Sequence, residues 1–164
     1  MLDDLTNLQA LLKDSTLLAT RGYIAGEWCD GENGKTFPVF NPARGDVITD
    51  VADISRTQTA EAISIAEKAQ KLWAARPAKE RSNLLRNWYN LMMENQEDLA
   101  TILTAEQGKP IEEAKGEIAY GASFIEFFAE EAKRVYGETI PGHQSDKRIT
   151  VLKQPVGVAA SITP

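Results

Sequence analysis

The sequence predicts an α/β chain in which a small β-hairpin region is followed by a bundle of helices and then by a strand of a parallel sheet. Three observations predict it. Between Tyr23 and Ile54, short apolar runs are separated by turn-forming pairs; from Ser55 onward apolar residues recur at helical spacing; and Val156-Gly157-Val158-Ala159-Ala160-Ser161-Ile162 is a continuous small and β-branched apolar run. Such a run has the texture of a strand covered on both faces, as in sheets flanked by helices.

At the N-terminus, Leu5, Leu8, Leu11 and Leu12, with Leu17 and Leu18 further on, predict an amphipathic helix that ends before Gly22, within a segment spanning 1–21. A hairpin region over 22–54 follows, because Ala25-Gly26, Asn33-Gly34, Asn41-Pro42 and Arg44-Gly45-Asp46 are turn-forming combinations. The helical part is expected over 55–137. Ser55 and Gln58 have the form of a capping box, and Ala62, Ile65, Ala66, Ala69, Leu72 and Trp73 form one stripe behind it. Pro77 starts the next helix, with Leu84, Leu85, Trp88, Leu91 and Met92 as its apolar face. Asn95 is placed to cap a third helix carrying Leu99, Ile102 and Leu103 to a stop at Gly108.

The longest helix is expected from Pro110 to a C-terminal cap at Gly137, with Glu112 and Glu113 near its positive end and Lys133 and Arg134 near its negative end. Its stripe runs Ile111, Ala114, Ile118, Ala122, Ile125, Ala129, Ala132, and Tyr120, Phe124, Phe127 and Phe128 form a second, aromatic stripe on an adjoining face. A helix on the outside of a domain needs only one buried face. The second must meet either another helix of this chain or a wall shared with a second domain or a ligand pocket. Past Gly137 an extended segment over 138–155 includes the β-forming Arg148-Ile149-Thr150-Val151-Leu152-Lys153, and the final strand occupies 156–164. A parallel strand needs neighbours reached by long crossovers, so the chain is expected to be an incomplete piece of a larger α/β enzyme.

Composition narrows the function. With 43% hydrophobic and 26% charged residues the chain is soluble and globular, and a net charge of -6 with no cluster of basic residues argues against nucleic acid. Acids at Asp3 and Asp4 stand where a secretory signal needs basic residues, and no apolar run reaches the length of a membrane span, so the cytoplasm is the expected compartment. One cysteine and one histidine are too few for a zinc site, and no metal is expected. Cys29 lies between Glu27 and Asp30, which would raise a thiol pKa, and His143 sits in a polar loop, so Cys29 is read as a hairpin residue and not a nucleophile. The adjacent pairs Glu112-Glu113 and Glu130-Glu131 point apart on a helix and are read as solvated faces. There is no Gly-x-Gly-x-x-Gly, Walker or Ser-elbow pattern.

What remains is a set of short strings: Gly26-Glu27-Trp28, Asn41-Pro42-Ala43, Glu106-Gln107-Gly108-Lys109-Pro110, Tyr136-Gly137-Glu138-Thr139-Ile140-Pro141, Gln154-Pro155-Val156-Gly157-Val158 and Ile162-Thr163-Pro164. Each alone is a turn or a cap. In this order and spacing they resemble the aldehyde dehydrogenases, over nearly the whole chain after Arg21. Within that family, Asn90-Leu91-Met92-Met93-Glu94 and Ile140-Pro141-Gly142-His143-Gln144 are similar to the succinate-semialdehyde dehydrogenases, whose pattern is largely shared by members acting on glutarate semialdehyde.

The resemblance implies the N-terminal part of the aldehyde dehydrogenase fold, ending in the first strand of a Rossmann-like cofactor sheet. It implies oxidation of succinate semialdehyde or a similar small aldehyde to the acid with NAD or NADP, through a cysteine thiolate and an oxyanion hole. The family's oxyanion-hole asparagine belongs to a string that would begin right after Pro164, and its nucleophile and general base lie further on. No catalytic residue is therefore expected in this chain, Cys29 does not match the nucleophile, and the chain alone is expected to be inactive. Ile162, Thr163 and Pro164 match positions that line the cofactor cleft, although ending a buried strand would explain them equally. Tyr120 and Phe124 fall where the family lines its substrate tunnel, with plain core packing as the other reading. Residues 148–153 resemble the segment through which family members join as homodimers or homotetramers. A second expectation, from a different class, is a stable non-catalytic helical module with an assembly or binding role.

Overall fold

The computed structural model describes residues 8–163. Leu5 and Pro164 lie outside them. The mixed helix and strand expectation holds: among the described residues there are three separate two-stranded antiparallel hairpins and four substantial helices.

The predicted N-terminal helix does not run on to residue 21. Within the described residues helix α1 is only Leu8–Leu11, followed by a single 3-10 turn at Ser15–Leu17. The cause is a long-range acceptor: the amides of Lys13 and Asp14 donate to the two carboxylate oxygens of Asp98 at 3.1 and 2.8 Å. Asp14 in turn caps the 3-10 turn, accepting from the Thr16 amide at 2.9 Å. Leu8 and Leu12 are buried against Ala105, with Leu18, Ile48 and Ile102 around them.

Strands β1 (Gly22–Ile24) and β2 (Glu27–Cys29) pair with Tyr23 opposite Trp28. Their two-residue turn has positive φ at both Ala25 (58°) and Gly26 (87°), as a type I′ hairpin requires. Strands β3 (Thr36–Phe40) and β4 (Val47–Ala52) form the second hairpin, with an irregularity between Val39 and Phe40. Its loop is closed by Asn41, a buried side chain whose Oδ1 accepts from the Ala43 amide at 2.9 Å, and by the Arg44–Asp46 ion pair at 2.9 Å.

Helix α2 (Arg56–Ala74) begins at the expected capping box, with Gln58 N donating to Ser55 Oγ at 3.2 Å and Ser55 N to Gln58 Oε1 at 3.0 Å. The same Gln58 side chain accepts from Glu32 N at 3.1 Å and donates to Asp30 O at 2.9 Å, tying the helix to the hairpin region. Only the first half of its predicted stripe is shielded; Ala69, Leu72 and Trp73 are exposed.

Helices α3 (Ala78–Glu94), α4 (Gln96–Gln107) and α5 (Ile111–Glu131) form the helical core, with α5 packed on both others. Ala114, Ala122 and Ala129 are fully buried along the predicted α5 stripe, small enough to let neighbouring backbones approach. The expected face of α3 splits: Leu85 and Met92 are half-buried, whereas Leu84, Trp88 and Leu91 are exposed. Asn95 does not cap α4 through its side chain. Its Nδ2 donates backward to Leu91 O at 2.8 Å, closing α3 instead. Gly108 ends α4 in the left-handed region at φ 77°, and a Cβ there would stand 3.1 Å from Pro42 Cγ.

Gly137 is not the cap of α5, which stops at Glu131. Lys133 and Arg134 turn back onto Glu130 and Glu131 as terminal ion pairs, a favourable placement of cations near the helix carbonyls. Glycine is required at 137 for another reason: a Cβ would collide with the Val151 carbonyl where β5 (Glu138–Pro141) meets β6 (Arg148–Val151).

The predicted strand over 156–162 is absent. No residue from 152 to 163 is in a strand, and Ile162 is 100% exposed. A parallel strand exists through its ladder, and among the described residues no strand lies alongside to supply one.

Candidate functional site

The side chains that the sequence nominates for substrate, Tyr120 and Phe124, are one turn apart on α5 and touch. Their ring centroids are 4.9 Å apart at 77°, an edge-to-face pair. They are 65% and 47% exposed, and Phe127 and Phe128 continue the stripe as a second edge-to-face pair at 5.3 Å. All four rings are largely exposed among the described residues. Ile162, fully exposed, packs against neither ring, and Thr163 beside it is also exposed. The structure thus brings Tyr120 and Phe124 together and leaves Ile162 and Thr163 apart from them.

The segment expected to line the cofactor cleft has no flanking strand among the described residues, and its residues from 156 to 163 are exposed. Cys29 closes the β1–β2 hairpin opposite Gly22, while His143 lies in the loop of the β5–β6 hairpin, and no hydrogen bond joins them. No group of three or more potential metal ligands converges among the described residues, and no described helix is long and apolar enough to cross a membrane.

Helices α3, α4 and α5 are also joined by ion pairs that sequence reading missed. Arg86 on α3 reaches across to α5, bonding Glu126 and, at 2.7 Å, Glu130. Hydrogen bonds from Lys133 and then Arg86 hold the Glu130 carboxyl below the usual glutamate range. Lys109 pairs with Glu117 across the α4–α5 junction, and Lys115 with Glu97 at 3.0 Å. These bonds join α5 to its neighbours in the same orientation that buries Ala114, Ala122 and Ala129. Withdrawal from water pushes Glu106 up, although the residue keeps a solvent-open side.

Asp98 was also missed, yet a signal existed: it shares the 98, 102, 105 face of α4 with Ile102 and Ala105, and an acid on an apolar stripe calls for a partner.

The strings that carried the resemblance are neighbours in space. Asn41-Pro42-Ala43 lies against Gly108 of Glu106-Gln107-Gly108-Lys109-Pro110, and Gly137 lies against the strand that leads to Gln154-Pro155. The family profile of the aldehyde dehydrogenase family matches residues 28–164. The chain is 60% identical over 153 residues to a glutarate-semialdehyde dehydrogenase of Pseudomonas putida, covering 93% of this chain and 32% of that protein. It is 57% identical to the NADP(+) succinate-semialdehyde dehydrogenase GabD of Escherichia coli, with the same coverage. The crystal structure of succinate-semialdehyde dehydrogenase from Burkholderia pseudomallei superposes with a TM-score of 0.86 at 51% identity, covering 89% of this chain and 30% of that one. The chain spans about a third of the length of the curated relatives it matches. Its hairpins, its helices and the strings that join them show that the chain belongs to the aldehyde dehydrogenase family.

Proposed function

We propose that these residues serve as the N-terminal part of an NAD(P)-dependent dehydrogenase that oxidises succinate semialdehyde or a similar small aldehyde to the carboxylic acid. The observation that carries this reading is identity of 57–60% to relatives named for semialdehydes of four and five carbons, spread over 93% of the chain. In that enzyme Tyr120 and Phe124 form an apolar wall of the aldehyde channel, and Ile162, Thr163 and Pro164 border the nicotinamide cofactor. The β5–β6 hairpin and the residues to Lys153 are the segment that joins subunits, because both edges of this exposed hairpin are free to pair among the described residues. No residue of this chain, Cys29 included, carries out the chemistry at the aldehyde carbon.

The test is a chimera in which residues 1–164 replace the matching segment of the Pseudomonas putida glutarate-semialdehyde dehydrogenase. The chimera oxidises both four- and five-carbon semialdehydes. Tyr120→Ala and Phe124→Ala raise KM by roughly tenfold, the scale of a lost apolar contact in a pocket, with a smaller change in kcat. An unchanged KM for both aldehydes in both variants sinks the channel assignment. The unfused chain, given succinate semialdehyde and NADP, produces no NADPH; production would refute the placement of the chemistry outside it.

A further inference from the structure

We propose that the cleft between the end of α2, the start of α3 and the segment after β6 binds a small organic anion that carries a flat apolar body. This site is separate from the aromatic stripe and shares only Lys153 with the segment assigned above to subunit joining, so it is tested on the unfused chain.

The cleft has a volume of about 360 Å³ and is lined by Gln70, Trp73, Arg81, Val135, Lys153 and Gln154, among others. That volume is on the scale of small-molecule sites. The chain carries a net charge of -6, yet the lining holds two cations and no carboxylate. Several cations of the helical region are paired with glutamates, as at Arg86, Lys109, Lys115, Lys133 and Arg134. Among the described residues no carboxylate pairs with Arg81 or Lys153.

Arg81 is also held in place. Its Nη1 donates to the Ala74 carbonyl at 3.3 Å and to the Arg76 carbonyl, which orients the guanidinium at the corner between α2 and α3. Its Nε and Nη2 make no such bond, so a fixed cation retains donors for an incoming anion. Trp73 and Val135 supply apolar surface beside it. A partly enclosed cleft of this kind strengthens attraction to an anion relative to open water and rewards a ring that covers the indole.

Phenyl phosphate is the probe, titrated into the full chain labelled with ¹⁵N-tryptophan. The chain has three tryptophans, Trp28, Trp73 and Trp88, and Trp73→Phe assigns the indole signal. The expected result is a saturable shift of the Trp73 indole alone. Phenol, which lacks the anion, binds at least about tenfold more weakly, the scale of one lost charge-assisted bond, and inorganic phosphate, which lacks the ring, binds about tenfold more weakly through loss of the apolar contact with Trp73 and Val135. Lys153→Gln weakens phenyl phosphate by about the same factor, and because Lys153 is exposed in an irregular segment, the Trp28 and Trp88 signals stay in place. Arg81→Gln removes a bond to α2 as well as a charge, so Lys153→Gln is the deciding variant. The proposal is overturned by no saturable shift, by equal shifts of all three indoles, by phenol binding as well as phenyl phosphate, or by a Lys153→Gln titration that matches the parent.

Discussion

Replacing Asp98 with alanine removes a side chain that fastens the described part of the N-terminal segment to the helical core by hydrogen bonds at both of its oxygens. The Asp98 carboxylate is 4% exposed and accepts from Lys13 N at 3.1 Å and Asp14 N at 2.8 Å. A hydrogen bond to a charged group contributes about 1.5 kcal/mol or more, and water can reach these part-buried amides once the carboxylate is gone, so the expected loss is about 2–3 kcal/mol. For a chain of 164 residues that corresponds to a melting temperature lower by about 4–12 °C. Asp98→Asn keeps one acceptor but turns an N–H donor toward the other amide, and should lose a comparable amount. Urea denaturation measures the loss, and amide hydrogen exchange locates it. Lys13 and Asp14 should lose protection first, ahead of α3 and α5. Leu12→Ala opens the same contact from its apolar side, so the double variant should cost less than the two single losses together. If Asp98→Ala shifts stability by under about 0.5 kcal/mol, the range of an ordinary surface change, and leaves both amides protected, the fastening role assigned to Asp98 is wrong.

Two further expectations concern α5 and the acids around it. Gly121 stands at the edge of the aromatic face with open space where a Cβ would go, so Gly121→Ala should stabilise the isolated chain by about 0.5–1 kcal/mol in denaturant titration; destabilisation would refute the open-space reading. The two shifted glutamates should respond to pH with opposite sign. Glu130, held low by Lys133 and Arg86, contributes stability above the ordinary glutamate range that is lost as pH falls through its lowered folded value. Glu106, raised by desolvation, weakens the fold above its raised value and is relieved as pH falls from there toward the ordinary range. At neutral pH Glu130→Gln should therefore lower the urea midpoint and Glu106→Gln raise it, with both differences vanishing in acid; shifts of the same sign would contradict the assignment.

Features with local causes were legible in the sequence. The Ser55–Gln58 box, the Ala25-Gly26 turn, the stop at Gly108 and the buried alanines of α5 each depend on residues within a turn or on a helical repeat. Features with distant causes were not. The leucine pattern at 8, 11 and 12 is helical, but α1 ends because its next amides are drawn to a carboxylate more than eighty residues away. Leu84, Trp88 and Leu91 have the period of a buried face, and period alone does not say which partner covers it. The run at 156–162 has strand composition without a strand, because a ladder is a property of two segments. At the candidate site the nearness of Tyr120 and Phe124 follows from helical spacing, whereas the Arg86 clamp between α3 and α5 joins positions forty or more residues apart.

Gln58 occupies both classes at once. Its amide closes the capping box of α2, and the same oxygen and nitrogen hold the backbone of Glu32 and Asp30. No substitution at this position can therefore report on helix capping alone. Glutamate would keep the acceptor shared by Ser55 and Glu32 and lose the donor to Asp30; alanine would lose all of these bonds together. The energy of starting a helix and the energy of docking it are not separable variables at Gln58, and the beginning of α2 is specified by the hairpin region as much as by its own sequence.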